Sequence, residues 1–98
     1  MHATPSDDTT HRRIRATVHG AVQGVGFRWA TAEHATEIGA SGWVRNQTDG
    51  TVLAEIEGSL EQVDDMIDFL HRGSQFARVD NIDIEELTPD GSAGFTIH

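Results

Sequence analysis

The chain contains no cysteine, which removes disulfide frameworks, thiol nucleophiles and thiolate-ligated zinc together. Lysine is absent as well, and all seven basic residues are arginine, at positions 12, 13, 15, 28, 45, 72 and 78. Coding bias accounts for that as well as chemistry does. Long apolar runs are missing: no stretch approaches the roughly 20 residues a membrane-spanning helix needs. Met1 to His11 also lacks the apolar segment of a secretory signal, so no membrane and a cytoplasmic location are expected. Positive charge is scarce, with 7 Lys+Arg against 16 Asp+Glu and a formal net charge of −9. Its distribution is uneven, positions 1–48 carrying +1 and positions 49–98 carrying −10. A nucleic-acid binder needs a broad basic face, which this chain cannot assemble, and no paired strand aromatics offer a base-stacking platform. The six histidines (2, 11, 19, 34, 71 and 98) show no metal-site spacing, so no metal is expected. A small anion gripped by a few converging arginines of the first half is compatible with this charge.

What is present is ordinary globular composition: 98 residues, 37% apolar and 23% charged, enough for one small domain. Met1 to His11 is polar and is expected to be a disordered tail, leaving residues 12–98 as the domain. Ile14, Ala16 and Val18 alternate with Arg15, Thr17 and His19, the period of a half-buried strand. A glycine-rich segment, Gly20 to Gly26, interrupts the strand. A helix is expected from Phe27, with Phe27, Ala30, Ala35 and Ile38 on its apolar face, Glu33 and Glu37 on the other, and Gly39 as its stop. A second strand opens near Ser41 with Trp43 and Val44. Asn46 to Gly50 reads as a hairpin turn, and Thr51 to Glu57 as a third strand with Val52, Ala54 and Ile56 on one face.

Ser59 and Gln62 have the spacing of a capping box. The helix they open has an expected core stripe of Leu60, Val63, Ile67 and Leu70, and ends at Gly73. Val79, Ile82, Ile84 and Leu87 mark a fourth, bulged strand, and Phe95 with Ile97 a short last one. The order β-α-β-β-α-β plus a terminal strand is the ferredoxin-like α+β arrangement, a mainly antiparallel sheet with both helices on one face. That architecture carries many unrelated activities.

Two segments carry chemistry. Glycines between a strand and a helix let the amides of Gly20, Ala21, Val22, Gln23, Gly24, Val25 and Gly26 converge as an anion cradle, reinforced by the helix dipole. Arg28, on the helix's first turn, has the planar fork that grips two phosphate oxygens. The dinucleotide fingerprint fails because position 29 is Trp, and no Gly-Lys-Ser/Thr forms a P-loop. The same glycines equally serve a plain tight connection. In the second segment, Gly42-Trp-Val-Arg-Asn46 followed by Gly50-Thr-Val52, asparagine and glycine are also ordinary hairpin punctuation.

Taken together, Val18-His-Gly-Ala-Val-Gln-Gly-Val-Gly-Phe-Arg28 and Gly42-Trp-Val-Arg-Asn-Gln-Thr-Asp-Gly-Thr-Val52, closing at Gly58, resemble the two signature motifs of the acylphosphatase family. The resemblance runs from about Arg12 to the C-terminus. It implies a ferredoxin-like fold, hydrolysis of an acyl phosphate as small-molecule substrate, and no cofactor. It places the phosphate cradle on the backbone of Gly20 to Gly26, the phosphate-binding arginine at Arg28, and the water-orienting catalytic asparagine at Asn46. A monomer is the expected state at this size. The competing expectation is a non-catalytic ferredoxin-like module that binds a small anion or a partner protein.

Overall fold

The computed structural model describes residues 10–98. Its elements, in chain order, are β1 (His11–Ala21), α1 (Phe27–Ile38), β2 (Ser41–Asn46), β3 (Val52–Ser59), α2 (Leu60–Arg72), β4 (Arg78–Leu87) and β5 (Phe95–Ile97). The five strands form one sheet in the order β4-β1-β3-β2-β5. Every pairing is antiparallel except β2 with β5, which run parallel. This is the ferredoxin-like α+β sandwich expected from the sequence. The stretch taken as a tail lies outside the described residues for positions 1–9. Its last two residues are engaged: His11 pairs with Ser59, and the Leu60 amide donates to the Thr10 carbonyl at 3.2 Å.

Alternation sets which face of the sheet meets the helices. Ile14, Ala16 and Val18 of β1, Val44 of β2, and Val52, Ala54 and Ile56 of β3 point the same way. They share one core with Phe27 and Ala35 of α1 and Val63, Met66 and Leu70 of α2. The helical stripes differ in detail from the expected ones. In α2 the buried residues are Val63, Met66 and Leu70. Leu60 and Ile67 lie on the flank of that stripe, so Leu60 is exposed and Ile67 only half-buried. In α1 the centre of the face is Phe27, Thr31 and Ala35, with Ala30 and Ile38 on its flanks. Thr31 is tolerated there because its hydroxyl donates to the Phe27 carbonyl at 2.8 Å, which satisfies it locally.

The helix boundaries have local causes. The capping box is closed: the Gln62 amide donates to Ser59 Oγ at 3.0 Å and the Ser59 amide donates to Gln62 Oε1 at 2.8 Å. Gln62 Nε2 also donates to the Ile38 carbonyl at 2.8 Å, so one side chain caps α2 and ties down the end of α1. At the top of β1 the register with β4 shifts between His19 and Gly20. A Cβ at Gly20 would lie 2.1 Å from the Arg78 carbonyl oxygen, so only glycine lets the two strands approach.

The outer face of the sheet departs from a simple solvent-facing surface. Glu55 and Glu57 fall on the polar side of the alternation, yet both are buried. The reason is topological. β4 and β5 occupy opposite edges of the sheet, so the segment joining them must cross its outer face. There the amides of Asp90 and Gly91 each donate to Glu57 at 3.0 Å. Arg13 lies alongside, donating to Glu57 at 2.9 Å and to Glu55 at 2.8 Å.

Candidate functional site

The end of the sheet where β1 stops and α1 begins holds a cavity of about 160 Å³ lined by Val22, Gly24, Gly26, Phe27, Arg28, Trp29, Asn46 and Ile97. Four separate segments meet there: the β1–α1 loop, the first turn of α1, the end of β2, and β5. Both side chains singled out in the sequence, Arg28 and Asn46, face this one cavity.

The loop is shaped by residues of two kinds. Val22 is buried and Val25 packs against the core, so both pull the loop toward the protein interior. Gly24 and Gly26 each have φ of +76°, and a Cβ at either would meet nothing within 4 Å. Here the left-handed backbone rather than crowding demands glycine. Gly26 caps α1 with no side-chain hydrogen bond, so the first-turn amides are left without a capping partner. No described backbone oxygen outside the helices and strands accepts from the amides of residues 23–26. Ser74, from the segment after α2, donates its hydroxyl to the Val25 carbonyl at 2.8 Å and fixes the loop from behind. Gly20 and Ala21 do not line the cavity: they belong to β1 and pair with Val79 and Arg78 of β4. Of the residues expected to form the cradle, Val22, Gly24 and Gly26 line the cavity.

Asn46 is the last residue of β2, paired with Val52 of β3, and lies outside the turn it was expected to open. The turn is organised by others. Gly50 donates to the Gln47 carbonyl at 3.2 Å, the Gln47 amide to the Thr51 carbonyl at 2.9 Å, and the Thr51 amide to Asp49 Oδ1 at 2.9 Å. Asn46 Oδ1 is buried and has no hydrogen-bond partner among the described residues. Leaving a buried acceptor unpaired costs about 1–3 kcal/mol. The turn role expected as the competing explanation for Asn46 is thus filled by Gln47, Asp49 and Thr51.

Arg28 Nη1 donates to the backbone oxygen of His98 at 3.1 Å. His98 is itself held by its amide, which donates to the Val44 carbonyl at 2.8 Å, and by stacking on Trp43 with ring centroids 5.5 Å apart. The guanidinium is thereby held at the cavity mouth by one contact, with other donors free to turn inward. No feature of the sequence flagged His98.

Gln23 was singled out for its backbone only. Its side chain does more: Nε2 donates to the Gln47 carbonyl at 2.7 Å and to the Thr51 carbonyl at 2.9 Å. It clamps the loop to the turn that follows Asn46. A polar side chain between Val22 and a glycine was the available signal.

The buried carboxylates of the outer face form a separate cluster. Burial pushes the Glu57 carboxyl upward, but the amides of Asp90 and Gly91, the Arg13 guanidinium and His11 together hold it below the ordinary glutamate range. Glu55 behaves alike, with burial opposed and outweighed by Arg15 and Arg13. Neither carboxylate lines the cavity. His34 stacks on Phe69 at 4.5 Å and bonds Asp65 at 3.0 Å between the two helices.

A family model described as Acylphosphatase matches residues 14–97. An acylphosphatase of Thermococcus kodakarensis is 44% identical over 88 residues, which cover 88% of this chain and 97% of that protein. The solved structure of an acylphosphatase from Coxiella burnetii is similar with a TM-score of 0.88 at 28% identity, over 97% of this chain and 100% of that one. The crystal structure of an acylphosphatase from Bacillus subtilis gives a TM-score of 0.86 at 33% identity, over 89% and 98% of the two chains.

Proposed function

We propose, from the premise that this chain belongs to the acylphosphatase family, that Arg28, the amides of the 22–26 loop and Asn46 divide its reaction between them. The chain is an acylphosphatase, hydrolysing the carboxyl–phosphate anhydride of acyl phosphates to carboxylate and inorganic phosphate. The observation that carries the division of roles is that Asn46, whose buried Oδ1 has no described partner, lines the same cavity as Arg28 and the glycine loop.

The leaving group is a carboxylate, which departs without strong help from a general acid. Transfer of the phosphoryl group then depends on positioning and on stabilising the charge of its equatorial oxygens. The Arg28 guanidinium supplies two parallel donors for those oxygens. The loop amides and the amino end of α1 supply further donors and a favourable dipole. Asn46 Oδ1 accepts a hydrogen bond from the attacking water and aims its lone pair at phosphorus, opposite the leaving oxygen. The new P–O bond forms from water as the bond between phosphorus and the acyl oxygen breaks. The electron pair leaves with the carboxylate, and the water's proton passes to a phosphate oxygen. No side-chain base is required.

All these groups come from one chain, so the same reading makes the active species a monomer. It also makes the reaction independent of metal, because amides, a guanidinium and a carboxamide supply every contact. Steady-state hydrolysis of benzoyl phosphate with and without EDTA tests this. Turnover at the same rate with chelator is expected; loss of activity that a divalent ion restores would overturn the metal-free assignment.

A further inference from the structure

Beside the phosphate cavity runs a second, open groove of about 350 Å³, lined by Trp29, Ala32, Glu33, Thr36 and Glu37 of α1 and by Ile97 of β5. The α1 residues fall at i, i+3, i+4, i+7 and i+8, a single stripe running down the helix from its first turn. This is the side of α1 that the sequence pattern assigned to solvent. Two of its residues, Trp29 and Ile97, also line the phosphate cavity, so the two spaces adjoin. Both are large apolar side chains left well exposed, at 62% and 43%.

We propose that this groove is the acyl-group subsite, and that it takes uncharged, apolar and above all aromatic acyl groups. The proposal rests on the phosphate being held by Arg28 and the 22–26 loop. With phosphorus fixed at the amino end of α1, the acyl oxygen has Trp29 and Ile97 beside it, and the rest of the acyl group lies along the stripe toward Thr36. Size fits: a cavity of about 150 Å³ accommodates benzene, so an aromatic ring has room here. The Trp29 indole offers a flat face for stacking, worth more to an aryl group than to a methyl. Glu33 and Glu37 set the charge rule. No described cation pairs with either one. An acyl group with a distal carboxylate or phosphate brings its charge against theirs, a penalty of about fivefold per contact at water-like screening.

The test uses the full chain with three substrates: benzoyl phosphate, 4-carboxybenzoyl phosphate and acetyl phosphate. Inorganic phosphate serves as competitive inhibitor. Each variant is compared with wild type as a ratio of kcat/KM values, which cancels the intrinsic difference between leaving groups. Trp29→Ala is expected to lower the benzoyl-to-acetyl ratio about tenfold, chiefly through KM. The double variant Glu33→Gln, Glu37→Gln is expected to raise the 4-carboxybenzoyl-to-benzoyl ratio about fivefold or more, an effect that shrinks with added salt. Should Trp29→Ala fail to fold, the double variant, confined to the helix surface, decides alone. Hydrolysis of all three substrates with phosphate competing, yet with ratios unmoved in the folded variants, sinks the subsite and leaves the phosphate site standing. Absence of hydrolysis, or no competition by phosphate, removes both.

Discussion

Two buried polar side chains define opposite ends of this molecule. On the outer sheet face, Glu57 accepts hydrogen bonds from Arg13, from the amides of Asp90 and Gly91, and pairs with His11 at 3.0 Å. At the mouth of the β1–α1 loop, Asn46 Oδ1 has no described partner at all. The charged group is the costlier one to bury, yet it is fully satisfied; the neutral amide is left wanting. A saturated polar group has no capacity for a ligand and holds the chain together. An unsatisfied one stores binding capacity at the expense of stability. Glu57 therefore belongs to the architecture, pinning the 88–94 crossover that carries β5 to the far edge. Asn46, lining the cavity with its Oδ1 unpartnered, is the one proposed for the chemistry.

Arg28→Lys should have the largest effect of any single change. The charge survives, but an ammonium cannot reproduce two parallel bonds to a phosphoryl group. A loss of about 10³-fold or more in kcat/KM is expected, with weakened inhibition by inorganic phosphate and an unchanged melting temperature. Unaltered phosphate affinity in the folded variant would move the anion site away from the loop.

Glu57→Ala attacks the other end. Removing Glu57 leaves Arg13 with Glu55 as its remaining buried carboxylate and takes the acceptor from the amides of Asp90 and Gly91, at a cost of about 3 kcal/mol by chemical denaturation. Activity per folded molecule should be retained, and a kinetic defect without loss of stability would erase the distinction drawn between the two ends. The pH dependence follows with a definite sign. Because Glu57 and Glu55 titrate lower in the folded chain than in the unfolded one, their contribution is fully present above the unfolded value of about 4.3. It is lost as pH falls from there through their folded values. Glu57→Ala should flatten that acid limb.

Asn46→Ala reverses the pattern. A fall in kcat of about 10²–10³ is expected, in line with the loss of one preorganised polar group. Phosphate inhibition should survive, and the melting temperature should hold or rise, since a buried unpaired oxygen has been removed. A variant that melts earlier but turns over normally would make Asn46 a structural residue.

Much of this was legible in the sequence, and what was not shares a cause. Period-2 and period-3.6 patterns located every strand and helix, and Ser59, Gln62, Gly39 and Gly73 marked helix ends, because those signals are local. The meeting of Arg28 and Asn46 at one cavity was legible because two motifs coincided. Burial of Glu55 and Glu57 was hidden, since it depends on which edges β4 and β5 take and on the segment that must cross between them. Met66 rather than Leu60 fills the core because the stripe's centre is fixed by the sheet beneath, not by the helix. The contact of Arg28 with His98 likewise joins residues far apart in the chain. Pairings set by topology leave no mark in a local pattern.

Gln23 stands between the two ends, a satisfied polar group inside the β1–α1 loop, and its replacement should produce the smallest effect of the set. Its Nε2 bonds two carbonyls of the 47–51 turn, so Gln23→Ala leaves both acceptors short. Each carbonyl keeps its backbone donor, Gly50 for Gln47 and Gln47 for Thr51, so the cost is that of two lost hydrogen bonds, about 1–3 kcal/mol, and each kcal/mol lowers the melting temperature of a domain this size by about 4–8 °C. If the clamp also sets the position of Asn46 against the loop, kcat should fall by about tenfold, a penalty of the size expected for misplacing a catalytic group. KM and phosphate inhibition should change less, because Arg28 and the glycines keep their own supports. Gln23→Glu supplies the control: it fills the same space but puts acceptors against carbonyl oxygens, and should be worse than alanine on both measures. Full kcat with a lowered melting temperature in Gln23→Ala would assign the clamp to stability alone. A fall in kcat with the melting temperature unmoved would show that a fully bonded side chain can act for catalysis without acting for the fold, and would break the rule that separates Glu57 from Asn46.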